Sequence, residues 1–160
     1  MLDKGAAGPT GRDSHLTMKN PRSAYLTRSG DVALLKQRAR ELVETWSSTW
    51  RSKNTSDASQ FYSKTPDLVF FDLGPTHLGW EQYRQSIERS FDTIENLDLT
   101  LNDDLRVVVG DGMALTTATG HISYRMKNNE NFESDIRFTG VWQNKGRHWR
   151  LIHDHWSRSR

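Results

Sequence analysis

Asp72 closes an apolar run, Leu68-Val69-Phe70-Phe71. In an extended chain alternate side chains share a face, so Leu68, Phe70 and Asp72 point one way and Val69 and Phe71 the other. A carboxylate at the mouth of an apolar pocket has a raised pKa and can shuttle a proton. The plainer alternative is a turn cap, since Gly74-Pro75 follows and Asp commonly caps turns.

A second group lies near the C-terminus. Residues 139 to 157 read as a strand, a turn at Asn144-Lys145-Gly146-Arg147 and a second strand. On that last strand Trp149, Leu151, His153 and His155 fall on one side, and His148, Arg150, Ile152, Asp154 and Trp156 on the other. His153 and His155 could act as acid and base, or donate hydrogen bonds to a carbonyl. With Asp72 as third ligand they could hold a metal, but no further ligand spacing accompanies them, so neither metal nor cofactor is expected. Their alternative role is to buttress the pocket or a dimer face. Arg137 and Thr139 share a face, and an inward Arg would bind a carboxylate or enolate oxygen bidentately. Otherwise Arg137 pairs with Glu133 or Asp135. Parity therefore predicts that Asp72, His153 and Arg137 converge on one cavity, lined also by Trp50 and Tyr62.

These residues need elements to hold them. Val32, Leu35, Ala39, Leu42, Val43, Trp46 and Trp50 recur every three or four positions, which predicts an amphipathic helix from about residue 31, capped by Ser29 or Asp31. Asn54-Thr55-Ser56 opens a short second helix with Ala58, Phe61 and Tyr62 inside, ending at Pro66. Leu68 to Asp72 is a strand. Gly79 opens a third helix with Trp80, Tyr83, Ile87 and Phe91 inside. Trp46, Trp50, Tyr62, Trp80 and Tyr83 are core by spacing, with a subset lining the pocket. His77 and His121 read as core or solvated side chains. From Leu97 onward the pattern is strand only: Leu97 to Leu101, Leu105 to Val109, Met113 to Met126, Phe132 to Gln143 and His148 to Ser157, with turns at Gly110-Asp111-Gly112 and Asn128 to Asn131. The order makes an α+β fold.

Composition narrows the rest. A chain of 160 residues is one domain's worth. No run of 18 apolar residues predicts a membrane span. No apolar core follows Lys4, so the expected location is the cytoplasm. The absence of Cys excludes disulfides, thiolate metal sites and a Cys nucleophile. Residues 1–30 carry Lys4, Arg12, Lys19, Arg22 and Arg28 against Asp3 and Asp13, so the positive excess sits there. They read as a flexible arm, with Met18 as an alternative start. The charge of the body at 31–157 gives little support for a nucleic-acid surface, so no nucleic-acid partner is expected, and the chain shows no phosphate-cradling glycine loop and no Ser nucleophile motif.

Three stretches carry a family resemblance: Glu44 to Trp50 at the aromatic end of the first helix, Asp67 to Trp80, and Arg137 to Trp142 with Gly146 to Ser157. In this order they resemble the SnoaL-like branch of the nuclear transport factor 2-like superfamily. The last stretch is also similar to the association domain of calcium/calmodulin-dependent kinase II. The resemblance implies a cone: three helices packed on a strongly curved antiparallel sheet, a pocket at the open end, and a homodimer through the convex face. It also sets Asp72 where ketosteroid isomerases carry their general base, which works there with Tyr and protonated-Asp donors. Here the matching strand offers Phe138, Thr139 and Gly140 rather than a second acid.

The expected function is a pocket for a small carbonyl or carboxylate ligand. As an enzyme it would be a cofactor-independent isomerase, cyclase or dehydratase, with Asp72 as base and His153, His155 and Arg137 stabilising an enolate-like oxygen. The alternative is a non-catalytic ligand-binding or assembly module, because this fold serves both.

Overall fold

The first helix, α1 (Pro21–Ser52), buries Leu35, Ala39, Leu42, Val43, Trp46 and Trp50 along one stripe. The structure is a computed structural model and describes residues 21–146 and 148–159. Of the flexible arm expected over residues 1–30, residues 21–30 are instead helical, part of α1; residues 1–20, with the alternative start at Met18, and Arg147 of the expected turn lie outside the described residues. The helix begins ten residues before the expected boundary at 31. Pro21 is tolerated at a first helical position because its missing N–H would have no partner there. Asp31 is therefore no cap. It lies inside the helix, where its carboxylate accepts a hydrogen bond from Trp149 Nε1 at 3.4 Å.

The second helix, α2, is a single turn (Ser56–Ser59), stopping well before Pro66. The Asn54 side chain accepts from the Ser56 amide at 2.9 Å, satisfying one free donor of that turn. Ala58, Phe61 and Tyr62 are buried as their spacing predicts. The third helix, α3 (Gly79–Ser90), buries Trp80, Tyr83 and Ile87.

Among the described residues, seven strands form one curled, unclosed sheet: β1 (Val69–Phe71), β2 (Thr76–Leu78), β3 (Ile94–Leu101), β4 (Arg106–Val109), β5 (Met113–Met126), β6 (Asn131–Lys145) and β7 (His148–Arg158). The order is β2-β1-β7-β6-β5-β3, with β4 also on β5. Long β5 pairs with β3 along its second half and with β4 along its first. Every pairing is antiparallel except β1 with β7, where Phe71 meets His155 in parallel. The sheet is thus mixed where the sequence suggested antiparallel. β2, expected as loop, returns beside β1 with Phe70 opposite His77. The helix α1 packs against β3 and β4, and α3 against β1 and β2. Among the described residues no helix is long and apolar enough to cross a membrane.

A bulge on β7 decides which of its side chains face inward. Trp142 of β6 pairs with Leu151, but the preceding Val141 pairs with His153. Ile152 is therefore an extra residue on β7. One extra residue exchanges the two faces of everything beyond it.

Gly79 fixes the approach to α3. Its φ is +70°, and a Cβ there would stand 2.8 Å from the Pro66 carbonyl oxygen. Its amide donates to Leu68 O at 2.5 Å. Gly79→Ala should cost about 1–3 kcal/mol, from left-handed strain and the backbone clash. Urea unfolding measures it; a loss within error would mean that the backbone shifts freely.

Candidate functional site

The inner face of the sheet meets α1 and α3 around a cavity of about 60 Å³. Trp46, Trp50, Tyr83 and Trp156 supply aromatic walls, with Asp72 and Leu73 at one edge. Asp72 is only partly buried. Its Oδ1 accepts from the Leu73 amide at 2.7 Å, and its own amide donates to Pro75 O at 3.1 Å. Burial raises its pKa, while the Leu73 hydrogen bond and the His77 charge oppose the rise. His77 stacks on Tyr83 at 5.0 Å. Burial lowers the His77 pKa, against the pull of Asp72.

A second acid stands behind the first. Asp154 is fully buried. Its Oδ2 accepts from the Tyr62 hydroxyl at 2.7 Å and from Trp156 Nε1 at 3.3 Å. Trp46 Nε1 donates to the Tyr62 oxygen at 3.0 Å. Asp154 Oδ1 has no hydrogen-bond partner among the described residues. Burial raises the Asp154 pKa to about 7; the Tyr62 and Trp156 bonds oppose the rise and the Asp72 charge adds to it. Gly140 pairs opposite Asp154, and a Cβ there would come 2.8 Å from Thr116 Oγ1. The absence of a side chain at Gly140 fits the crowding beside this network.

Tyr83 lies at the junction of the two acids. Burial raises its pKa well above the usual phenol value, and the charges of Asp154, Tyr62 and Asp72 push the same way. Its ring stands 5.7 Å from that of Tyr62, nearly perpendicular. A phenol held neutral keeps its proton and remains a hydrogen-bond donor, here within reach of the Tyr62 hydroxyl.

Of the residues picked out from sequence, Asp72, Trp46 and Trp50 line the cavity. Tyr62 stands one hydrogen bond behind it, on Asp154. Trp80 stacks on Tyr62 at 4.6 Å and lies in the core beyond. The expected convergence of Asp72 with His153 and Arg137 does not occur. The Ile152 bulge sends His153 and His155 to the outer face, where both rings meet Phe71 edge-on at 5.3 and 5.5 Å. His153 Nδ1 lies 2.7 Å from Val69 O. Arg137 and Thr139 share that face, because Ile136, Phe138 and Gly140 take the inner one. Arg137 Nη2 donates to Arg158 O at 3.2 Å, rather than pairing with Glu133 or Asp135. The four do form a neighbourhood: Thr139 pairs with His155 and Val141 with His153. It lies outside the cone.

The same bulge brings Asp154 inward, which parity counted from Trp149 missed. One signal was present: Trp149 and Leu151 have one parity and Trp156 the other. A strand with large apolar residues on both parities contains a phase change. His77 is core, and His121 lies at the surface 3.2 Å from Asp135. Among the described residues no three His, Asp or Glu side chains are grouped to hold a metal.

A curled sheet wrapped on a helix, enclosing acids and aromatics at one end, defines a cone-fold pocket protein. The chain belongs to the SnoaL-like domain family, whose model matches residues 39–159. No curated protein matches the sequence significantly. Solved structures share the fold. A nuclear transport factor 2-like superfamily protein from Salmonella enterica serovar Typhimurium is 18% identical, covers 80% of this chain and 93% of its own, and has a TM-score of 0.70. A protein described as a scytalone dehydratase from Novosphingobium aromaticivorans is 10% identical, with 82% and 89% covered and a TM-score of 0.66. A Xanthomonas campestris protein described as a calcium/calmodulin-dependent protein kinase II association domain is 19% identical, with 76% and 86% covered and a TM-score of 0.61.

Proposed function

We propose that the chain is a cofactor-independent acid–base enzyme of the isomerase, cyclase or dehydratase kind, acting on a small carbonyl compound. The observation that carries this is a pair of carboxyl groups with raised proton affinity, Asp72 lining the cavity and Asp154 behind it. Asp72 takes a proton from carbon next to the carbonyl and returns it. Tyr83 donates to the oxygen that gains charge. Tyr62 and Asp154 hold the hydrogen-bond network that keeps those phenols in place. Pairs of acids whose surroundings shift their proton affinity are a frequent device for such chemistry. The dehydratase description of one structural neighbour is consistent with this class.

Size limits the substrate. A cavity of about 60 Å³ falls far below the roughly 300–1,000 Å³ of ordinary ligand pockets. It favours a compact ketone over a polycyclic one, with the 72–75 turn giving way on binding. The test is deuterium exchange at the α-carbon of small cyclic ketones, followed by NMR in D₂O. Exchange well above the buffer rate supports the enzyme. Ketone binding without exchange would make the chain a ligand-binding module.

We also propose a homodimer through the outer face. Val108, Leu115 and Val141 align across β4, β5 and β6, next to His153 and Phe71. Val108 is 66% exposed, Leu115 39% and Phe71 38%. A continuous apolar row of this kind marks an interaction surface, and an isologous pair is the commonest way to cover one. Arg137, Thr139, His153 and His155 would then serve that interface. Light scattering should report a dimer, and Val108→Asp with Leu115→Glu should give a folded monomer. A monomeric wild type at micromolar concentration would end this reading.

A further inference from the structure

Lys64, Lys145, His148 and Arg150 line one open groove, between the 62–66 segment and the β6–β7 hairpin. Backbone bonds hold the segment there: Leu151 N donates to Phe61 O at 2.7 Å, and Ser63 N to Leu151 O at 2.8 Å. Lys64 is thereby held near Arg150. Its Nζ lies 4.1 Å from the Trp80 ring centroid and donates to Ser59 O at 2.6 Å. Arg38 of α1 stacks on Phe61 at 4.7 Å, and its Nε and Nη2 are buried without a hydrogen-bond partner.

Among the described residues this positive charge is only partly offset. Among the described residues no carboxylate forms an ion pair with Arg38, Lys64, Lys145 or Arg150. The two acids that offset it in part are engaged with others. Glu41 accepts from Gln37, and Glu81 from Arg84 and Gln85. Burial first, then the Arg150 charge, lowers the Lys64 pKa to about 8. Arg38 is lowered by burial and feels Arg150 too, against Glu41. Cations held together without an acid repel one another, and a bound anion would relieve that repulsion.

We propose that this groove is a binding site for a phosphate group, either inorganic phosphate or the phosphate of a small monoester. Three properties select that chemistry. Lys64, Lys145 and Arg150, with His148, line one groove, and several cations together suit a dianion with several acceptor oxygens better than a single carboxylate. The Ser63 and Thr65 hydroxyls, hydrogen-bonded to each other at 3.1 Å, line the same groove and leave one O–H to donate. The open groove offers about 530 Å³, room for a phosphorylated metabolite. Nucleic acid fits poorly, because base stacking needs an exposed aromatic platform, and Trp80 beneath Lys64 is only 6% exposed.

Calorimetry and thermal melting on the full chain test this at matched ionic strength. The probes are inorganic phosphate, glycerol phosphate, succinate, chloride and a short single-stranded RNA. Phosphate or glycerol phosphate should bind more tightly than succinate and raise Tm above its value in chloride. Preference between those two identifies free phosphate or an ester as the source. Lys64→Gln and Arg150→Gln should each weaken binding about tenfold to a hundredfold, as for loss of a charge-assisted bond. Exposed Lys145→Gln should also weaken it, and serves if the others fold poorly. In chloride, Arg150→Gln should melt no lower than wild type, because repulsion is removed. Arg125→Gln, whose side chain pairs with Glu95 outside the groove, should leave binding unchanged. The proposal fails if the phosphate response survives in the Lys64→Gln/Arg150→Gln double variant. It fails equally if succinate matches phosphate, or if RNA binds more tightly than the monoester.

Discussion

Asp72→Asn should slow α-proton exchange in a bound ketone by about 10²–10⁴-fold, the usual contribution of a general base, while changing the ketone's dissociation constant little. Asparagine keeps the size of the side chain and an oxygen for the Leu73 amide, now held at 2.7 Å. Only the proton acceptor is lost, so rate and binding should separate. Stability should hold, because burial already raises the Asp72 pKa and a neutral amide avoids that penalty. A second readout tests whether the two carboxyl groups are coupled. The Asp72 charge helps raise the Asp154 pKa, so the variant should titrate Asp154 at lower pH. Unchanged exchange would leave Asp72 as the cap of the 72–75 turn.

What could be read from the chain, and what could not, divides along the range of the interactions. Helical stripes are local, so Leu35 to Trp50 and Trp80 to Ile87 fell on the buried faces that their spacing predicts. The long strand at Met113–Met126 was equally legible, because it is rich in Thr, Tyr and Ile, residues that suit a strand. Asp72 was legible because the phase of its short strand is set by its immediate neighbours, with Phe70 fully buried beside it. The error at His153 and Asp154 has a different origin. A bulge is a mismatch between two strands, β6 and β7 here, and counting along one strand cannot reveal it. That single residue moved two histidines out of the cone and brought one acid in. The short strand β2 was missed for a similar reason: three residues carry no period, and pairing with β1 defines them. Gly30 weakens a helix on propensity alone, yet α1 runs straight through it.

Asp154→Asn should alter how stability depends on pH, with the largest change above neutrality. An aspartate in the unfolded chain titrates near 3.8 and Asp154 in the folded chain at about 7. Below pH 3.8 both states hold the proton. Between pH 4 and 7 the unfolded chain releases it and the folded chain keeps it, so the folded state loses stability as pH rises. Three pH units at about 1.4 kcal/mol each bring the loss to about 4 kcal/mol at pH 8. The variant has no such proton. Its amide oxygen can still accept from Tyr62 and Trp156, and its NH₂ takes the place of Oδ1, which has no partner. The protonated acid leaves the same donor unpaired, so wild type and variant should be nearly equal at pH 4. At pH 8 the variant should be the more stable by up to about 4 kcal/mol. The groups facing Asp154 are Tyr62, Trp156, Tyr83 and Asp72, with Trp46 behind Tyr62. The phenols stay neutral throughout this range, because burial raises both. Asp72 and His77 titrate in both proteins, with opposite signs, and largely cancel in the difference. Urea unfolding of the two proteins at pH 4 and pH 8 measures it directly. A difference that does not change with pH would mean that Asp154 is ionised throughout, its charge held by the Tyr62 and Trp156 donors.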